Sequence, residues 1–458
     1  MRSFLTLRRI LVWLALSSLA LAQNAPRPPI PGFERKATTP NIILIVADDL
    51  GYGDLGCYGQ TRIRTPNLDR VAAEGMQFMQ AYAGNTVCIP SRCALMTGLH
   101  SGHGQLRSNE EKPLSADTVT LARVAHAAGY STCALGKWAL GAQGTTGAAA
   151  RQGFDEWYGY PDQLSAHNYY PAELWRNDET TPRIVVGNVQ GKTQSYAPDL
   201  FVKAANNFIK IHQYDPFFLY LATTIPHANN ELGTNGMQVP TLGAYRREDW
   251  PPAEQAKAAM ITRFDDHVGQ IFTELERRNL DRDTLVIITS DNGPHSEGGV
   301  RSDFHRSSGR LRGQKRDLYE GGIRVPFIVR WPGHIKPGST NGLPLALWDI
   351  LPTVAELIGI SPPTTIDGLS FAPVLLGKEP LRQHEFLYWE FHERGYQRAA
   401  RMGPWKCVQL GLQQPVELYH LESDPGESRN VAVDHPEIVE KFATYFRTAA
   451  HPYREPSP

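Results

Sequence analysis

The chain has 458 residues, with 46 Lys and Arg against 47 Asp and Glu, a formal net charge of −1 and 41% hydrophobic residues. That length exceeds one ordinary compact domain and points to two domains, or to one large α/β domain with an appendage. The charges are scattered rather than massed, so no long-range field recruits nucleic acid or an anionic membrane, and any recognition of anions must be local.

Residues 1–22 read as a secretory signal peptide. Met1-Arg2 through Arg8-Arg9 supply a basic patch, Ile10 to Ala20 a mostly apolar stretch, and Ala20-Leu21-Ala22 a small-residue cleavage site. The apolar stretch is shorter than the roughly 20 residues that span a bilayer, and no later segment is apolar enough to cross one. The expectation is therefore a soluble protein, secreted or periplasmic, with no membrane contact after cleavage. Residues 23–39, rich in Pro and Ala, read as a linker.

An apolar run from Ile42 to Ala47 reads as a buried strand and ends in the acidic pair Asp48-Asp49. Apolar residues at helical spacing follow over Asn67 to Ala81, Cys88 to Arg92 sits at the start of a helix, and a further helical pattern covers Thr118 to Ala128. Strands are predicted at Ser131 to Leu135 and Phe217 to Ala222. A long helix over Pro252 to Asn279 then carries Met260, Ile261, Phe264, Val268, Ile271 and Leu275 on one stripe. The next strand, Leu285 to Thr289, leads into Asp291-Asn292, and another is predicted at Val325 to Val329.

Strand alternating with helix predicts an α/β fold with a doubly wound, mainly parallel central sheet and helices on both faces. Residues 40–380 form this catalytic domain. From about Glu385 short alternating segments at Phe386 to Phe391, Ala399 to Arg401, Trp405 to Leu410 and Glu417 to Leu421 read as a small antiparallel sheet, with a final helix near His435 to Thr448. This makes residues 381–458 a C-terminal α+β subdomain. Five cysteines, Cys57, Cys88, Cys93, Cys133 and Cys407, are too few for a disulfide framework. Apart from Cys88 they read as buried small hydrophobes, with pairing left open.

Asp48-Asp49 and Asp291-Asn292 both fall just past a strand, where open α/β sheets gather their ligands. Acidic residues there often only cap helices or solvate loops. Two such pairs, offering oxygen ligands without Cys or His, suit Ca²⁺ or Mg²⁺ better than Zn²⁺. Arg107, Asn109, Asn168, Trp175, Arg176, His295 and Glu297 lie in polar, aromatic-rich stretches of the kind that bind sugar hydroxyls and ring faces.

Cys88-Ile89-Pro90-Ser91-Arg92 matches Cys-x-Pro-x-Arg, and in this the chain resembles the type I sulfatases. Gly136-Lys137-Trp138, Ile225-Pro226-His227, Ser290-Asp291-Asn292-Gly293 and Lys315 to Gly322 resemble that family's other blocks, in the same order. The resemblance implies an alkaline-phosphatase-like fold and oxidation of Cys88 to Cα-formylglycine by a formylglycine-generating or anaerobic maturation enzyme before folding ends. It further implies one Ca²⁺, with Mg²⁺ less favoured, held by Asp48, Asp49, Asp291, Asn292 and an oxygen of modified Cys88.

The hydrated aldehyde would attack sulfur, expel the alcohol, and then release sulfate through its second hydroxyl. Arg92 would hold the modified residue, while Lys137, Lys315 and His227 would bind sulfate or protonate the leaving oxygen. Sulfatases often have a histidine after Gly-Lys-Trp that acts on the second hydroxyl. Ala139 stands there, so His167 and His103 become the candidates for that base.

The blocks around His167 and His295 resemble those of bacterial polysaccharide sulfatases. With Arg107 they implicate a sulfated glycan rather than a small aryl or steroid sulfate. The remaining alternatives are a phosphodiesterase or phosphonate hydrolase using the same modified residue, and a glycan-binding relative that has lost its chemistry.

Overall fold

β1 (Asn41–Ala47) is buried on both faces and lies in the middle of the central sheet. The protein is described from a computed structural model, which covers residues 39–451. The expected signal peptide and nearly all of the linker lie outside the described residues.

The sheet is assembled from β1, β2 (Met76–Phe78), β4 (Ser131–Lys137), β5 (Glu156–Tyr160), β6 (Glu173–Arg176), β7 (Arg183–Ile184), β8 (Phe217–Ala222), β9 (Thr284–Ser290), β10 (Phe327–Arg330) and β11 (Ser339–Asn341). Their order is β11-β2-β10-β9-β1-β8-β4-β5-β6-β7. The five central strands, β9 to β5 in that order, run parallel. β10 joins β9 antiparallel, and β6 joins β5 antiparallel. A two-strand ladder pairs β3 (Ala81–Tyr82) with β12 (Leu345–Ala346).

Alternation along each strand divides the core into two layers. Ile43, Ile45, Leu219, Leu221, Val286 and Ile288 face α1 (Pro66–Glu74), α4 (Ala197–Ile211) and α5 (Pro252–Arg277). Ile42, Leu44, Phe218, Tyr220, Leu285 and Ile287 face α2 (Cys88–Thr97), α3 (Leu121–Ala127) and α6 (Ile350–Leu357). Helices thus cover both faces, as the strand–helix alternation predicts.

The helix expected over Asn67 to Ala81 ends at Glu74. A Cβ on Gly75 would lie 2.2 Å from the Val329 carbonyl oxygen, so the chain passes hard against β10 there. The residues beyond it pair as β2, whose Met76 and Gln77 register with Val329 and Ile328. The strand expected at Val325 to Val329 begins two residues later and runs opposite to its neighbour β9.

β13 (Leu387–Phe391), β14 (Gln397–Met402), β15 (Trp405–Gln409) and β16 (Glu417–His420) form an antiparallel sheet in chain order. One face packs Tyr388, Ala400, Cys407 and Leu418 against Phe442 and Phe446 of α7 (Pro436–Phe446). The other buries Leu387, Trp389, Phe391 and Val408 against Tyr82, Val87 and Trp348. All five cysteines are free thiols, and only Cys57 is not fully buried.

Candidate active site

Register places the functional ends of three strands side by side. Ala47 of β1 pairs with Ser290 of β9, and Val46 with Ala222 of β8. Asp48-Asp49, Asp291-Asn292 and the loop carrying His227 therefore leave the sheet at the same edge. Asp49 takes a left-handed backbone, φ 65°, which an Asp tolerates better than most residues. Its N–H donates to Asp291 Oδ1 at 3.1 Å.

Cys88 is the first residue of α2, and its thiol donates to Asp48 Oδ1 at 3.3 Å. Ligand atoms of Asp48, Asp49, Cys88 and His227 all lie within 4.8 Å of one another. Asn292 Nδ2 donates to Asp49 Oδ1 at 2.6 Å, while Asn292 Oδ1 is buried with no hydrogen-bond partner. An orphaned carbonyl oxygen beside three buried carboxylates is a donor set that a hard divalent cation would complete. Asp48, Asp49, Asp291 and Asn292 fit such an ion.

Three cations, Arg92, Lys137 and Lys315, and the imidazole of His227 ring this cage. Arg92 reaches Asp291 Oδ2 through Nε at 3.0 Å and a terminal nitrogen at 2.7 Å, a fork on one oxygen, and also donates to the Lys137 carbonyl at 3.0 Å. Lys137 Nζ lies 2.7 Å from Asp48 Oδ2. Lys315 Nζ lies 2.9 Å from Asp49 Oδ2 and donates to His227 Nε2 at 3.0 Å. The other nitrogen of His227, Nδ1, donates to the Ala228 carbonyl at 2.5 Å.

Burial alone would raise the Asp48 carboxyl, but Lys137, His227, Arg92 and Lys315 hold it well below the usual range. Asp291 goes the other way: burial and the Asp48 charge push it up to about 7. Burial, followed by Asp48, also raises the Cys88 thiol well above its ordinary value, so an unmodified thiol there is a poor nucleophile. His227 is held low by burial and by Lys315.

Above the cage opens a cleft of 530 Å³ lined by Arg107, Asn109, His167, His227, Lys315 and Arg316, among others. Arg107 is anchored to Glu390 at 3.0 Å. The His167 ring stacks on His227, with centroids 4.7 Å apart. His295 is fully buried, with Nε2 bonded to the Pro226 carbonyl and Nδ1 accepting from the Glu297 N–H, so it stands behind the cleft wall. His103 bonds Asp367 and stacks between His100 and His451, in a different cluster from Cys88. Ala139 packs in the apolar layer beneath α2.

Glu231, which bonds His167, and Glu297, which lies 3.4 Å from Lys315, meet the site through pairing alone. Glu231 belongs to no motif and only the fold reveals it. A larger groove of 990 Å³ runs past Arg62, Arg306 and Gln314 but contains none of the cage residues.

Family models match residues 40–360 as Sulfatase and residues 313–447 as N-sulphoglucosamine sulphohydrolase, C-terminal. Arylsulfatase A of Homo sapiens is 34% identical over 88% of this chain and 86% of its own. N-acetylgalactosamine-6-O-sulfatase of Bacteroides thetaiotaomicron is 30% identical over 88% and 92%. Among solved structures, Ps i-CgsB in complex with k-i-k-neocarrahexaose superposes with a TM-score of 0.80 at 28% identity, over 92% of this chain and 94% of that one. A match of this breadth, reaching from β1 to α7, makes the chain a member of the sulfatase family and a sulfuric ester hydrolase.

Proposed function

We propose that the protein is an exported sulfatase that cleaves sulfate monoesters on carbohydrate, with residue 88 as the nucleophile. The observation that carries this is the Cys88 Sγ to Asp48 contact of 3.3 Å inside a cage of side-chain oxygens. When bound, Ca²⁺ neutralises the sulfate oxygens, and oxidation of Cys88 to formylglycine supplies a hydroxyl nucleophile in place of the thiol.

The chain's own residues do the rest. Asp48, Asp49, Asp291 and Asn292 hold the ion, and Arg92 fixes Asp291 and the start of α2. Lys137 and Lys315, both buried, offer positive charge to the sulfate oxygens that a nucleophile would otherwise be repelled by. His227, with Nδ1 committed to a backbone carbonyl, presents Nε2 on the same side. Ca²⁺ suits the all-oxygen set better than Mg²⁺, which keeps more of its water.

A sugar as the esterified alcohol is supported by the polar lining of the cleft, including Ser108, Asn109, Gln163 and Asn230. It is also supported by two relatives, the Bacteroides thetaiotaomicron protein named for N-acetylgalactosamine and Ps i-CgsB, solved in complex with k-i-k-neocarrahexaose. Arg107 and His167 line this side of the site, and His295 backs its wall. Export and encounter with a maturation enzyme rest on the N-terminal sequence and on Cys88.

The test is sulfate release from galactose 6-sulfate, N-acetylgalactosamine 6-sulfate and 4-nitrophenyl sulfate by protein co-produced with a formylglycine-generating enzyme. Mass spectrometry of the peptide containing residue 88 accompanies it. Expected are an aldehyde at residue 88, activity on at least one sulfate ester, and loss of that activity on chelation with recovery in Ca²⁺. Faster turnover of the matching phosphate or phosphonate ester, or a converted protein inert to every ester, would sink the reading.

A further inference from the structure

The groove of 990 Å³ is built from the two stretches of chain that leave the carboxyl ends of β1 and β9. Its walls are fastened to each other. The Gly53 N–H donates to the Ser307 carbonyl at 2.7 Å, and the Gln60 side-chain amide donates to the carbonyls of Gly53 and His305, both at 2.9 Å. A Cβ on Gly53 would fall 2.5 Å from the Arg306 carbonyl oxygen, so the two backbones are in close contact there. Lys257 of α5 braces Ser307 from behind, Nζ to Oγ at 2.8 Å. The depression is therefore preformed, and a ligand entering it has little loop ordering to offset.

Its charge is lopsided. Arg62, Arg306 and Arg310 line it, and all three are exposed. Arg62 is held by neutral groups: it donates to the Phe304 carbonyl at 2.8 Å, and its guanidinium lies 5.0 and 5.8 Å from the ring centroids of Phe304 and Trp250. Among the described residues none of the three arginines makes an ion pair. The carboxylates in the lining are answered from outside it, Asp303 by Arg301 at 2.6 Å and Asp317 by Arg394 at 3.4 Å. Three guanidiniums without carboxylate partners around one rigid depression, on a chain of net charge −1, form a local site for a ligand carrying several anionic groups.

The groove also adjoins the cleft. Gln314 and Asp317 line the groove, while Lys315 and Arg316, between them in the chain, line the cleft above the cage. A chain-like ligand that crosses this partition touches both. The aromatic rings in the lining are engaged, Tyr58 by Tyr52 and Phe304 by Arg62, which leaves no free platform for stacked bases and favours a glycan over a single-stranded nucleic acid.

We propose, resting on the sulfated-carbohydrate reading above, that this groove is a second binding site, taking a further sulfated segment of the glycan whose ester is cleaved in the neighbouring cleft. Sulfate groups along the segment accept hydrogen bonds from Arg62, Arg306 and Arg310, and the bound segment keeps the chain beside the cage. The substrate class is then an oligomer or polymer bearing several sulfates rather than a single sulfated sugar.

The test is binding of fluorescein-labelled short-chain dextran sulfate to the Cys88→Ala protein, which lacks the nucleophile, followed by anisotropy over a salt series. Arg306→Gln combined with Arg310→Gln is expected to weaken binding about 10-fold and to flatten its salt dependence. Arg277→Gln, at the far end of α5, should change binding less than about 2-fold. Excess galactose 6-sulfate should leave most of the probe bound, and neutral dextran should not compete. Thermal melting of the double variant, expected to match that of its parent, separates lost binding from lost fold.

Unchanged binding in the double variant, an equal loss in Arg277→Gln, or an oligothymidylate of matched length bound as tightly as dextran sulfate would overturn the proposal and leave the sulfatase reading standing. Matured wild type inert to every sulfate ester would remove the sulfatase reading, whatever the binding shows.

Discussion

Asp291 is fully buried between the Arg92 guanidinium and the backbone of Asp49, within range of the Asp48 charge. Its carboxyl is pushed up to about 7, mainly by burial. In the metal-free protein the folded state therefore keeps a proton on Asp291, between about pH 4 and pH 7, that the unfolded chain has already released. Stability falls as pH rises through that window. A divalent cation held by the cage would displace this proton and so bind more favourably as pH rises. The expected outcome is a Ca²⁺-induced increase in Tm that is larger at about pH 8 than at about pH 5. Equal increases at both would mean that Asp291 is not one of the cage carboxylates. Buried Glu427, also raised to about 7, gives a slope of the same sign, but Lys406 rather than the cage holds it, so Ca²⁺ should leave its share unchanged.

Elements settle into place through a few polar contacts as much as through apolar stripes. α1 begins at Pro66 without a side-chain cap of its own. Asp265 on α5 supplies one from a distance, accepting the N–H groups of Asn67 at 3.1 Å and Leu68 at 2.7 Å. Asp265→Ala leaves both donors unpaired in a tight helix crossing and should destabilise the fold by about 2 kcal/mol in urea unfolding, with kcat unchanged well below Tm. A change under about 0.5 kcal/mol would show that water takes over the cap.

The long α5 stripe and the buried β1, β8 and β9 runs were legible in the sequence because each element follows one period over many residues. The end of α1 was not, because the apolar spacing continues past Gly75 and only the approach of β10 breaks it. β5 to β7 were missed for a related reason: they are short, lie toward one edge of the sheet and are partly exposed. At the site, the cage, its three cations and His227 sit in recognisable local motifs. Glu231 acts on His167 across 64 positions, so its contribution is a product of tertiary structure alone.

At the scale of the molecule, the antiparallel sheet is joined to the parallel one by apolar packing and by a buried ionic knot. Lys406 of β15 reaches Glu320 at 3.1 Å and Glu427 at 2.9 Å, all three fully buried. Tyr82 and Arg324 complete the coordination of Glu320. Lys406→Met strands two carboxylates and should cost about 3–5 kcal/mol, whereas adding Glu320→Gln and Glu427→Gln should return part of that loss. Chemical denaturation of the single and triple variants measures both. A single variant as stable as wild type would show that the knot contributes nothing to the union of the two sheets.

The paired register of Ala47 with Ser290 also fixes a dimension. Because Asp48-Asp49 and Asp291-Asn292 hang from neighbouring strands, their backbones set out about 4.8 Å apart, and the side-chain torsions decide how much of that gap is left open. An ion held between walls that start so close together would be sorted by radius as well as by charge, and lengthening one wall by a single methylene, as in Asp291→Glu, should change which metal is preferred rather than merely how tightly one is held.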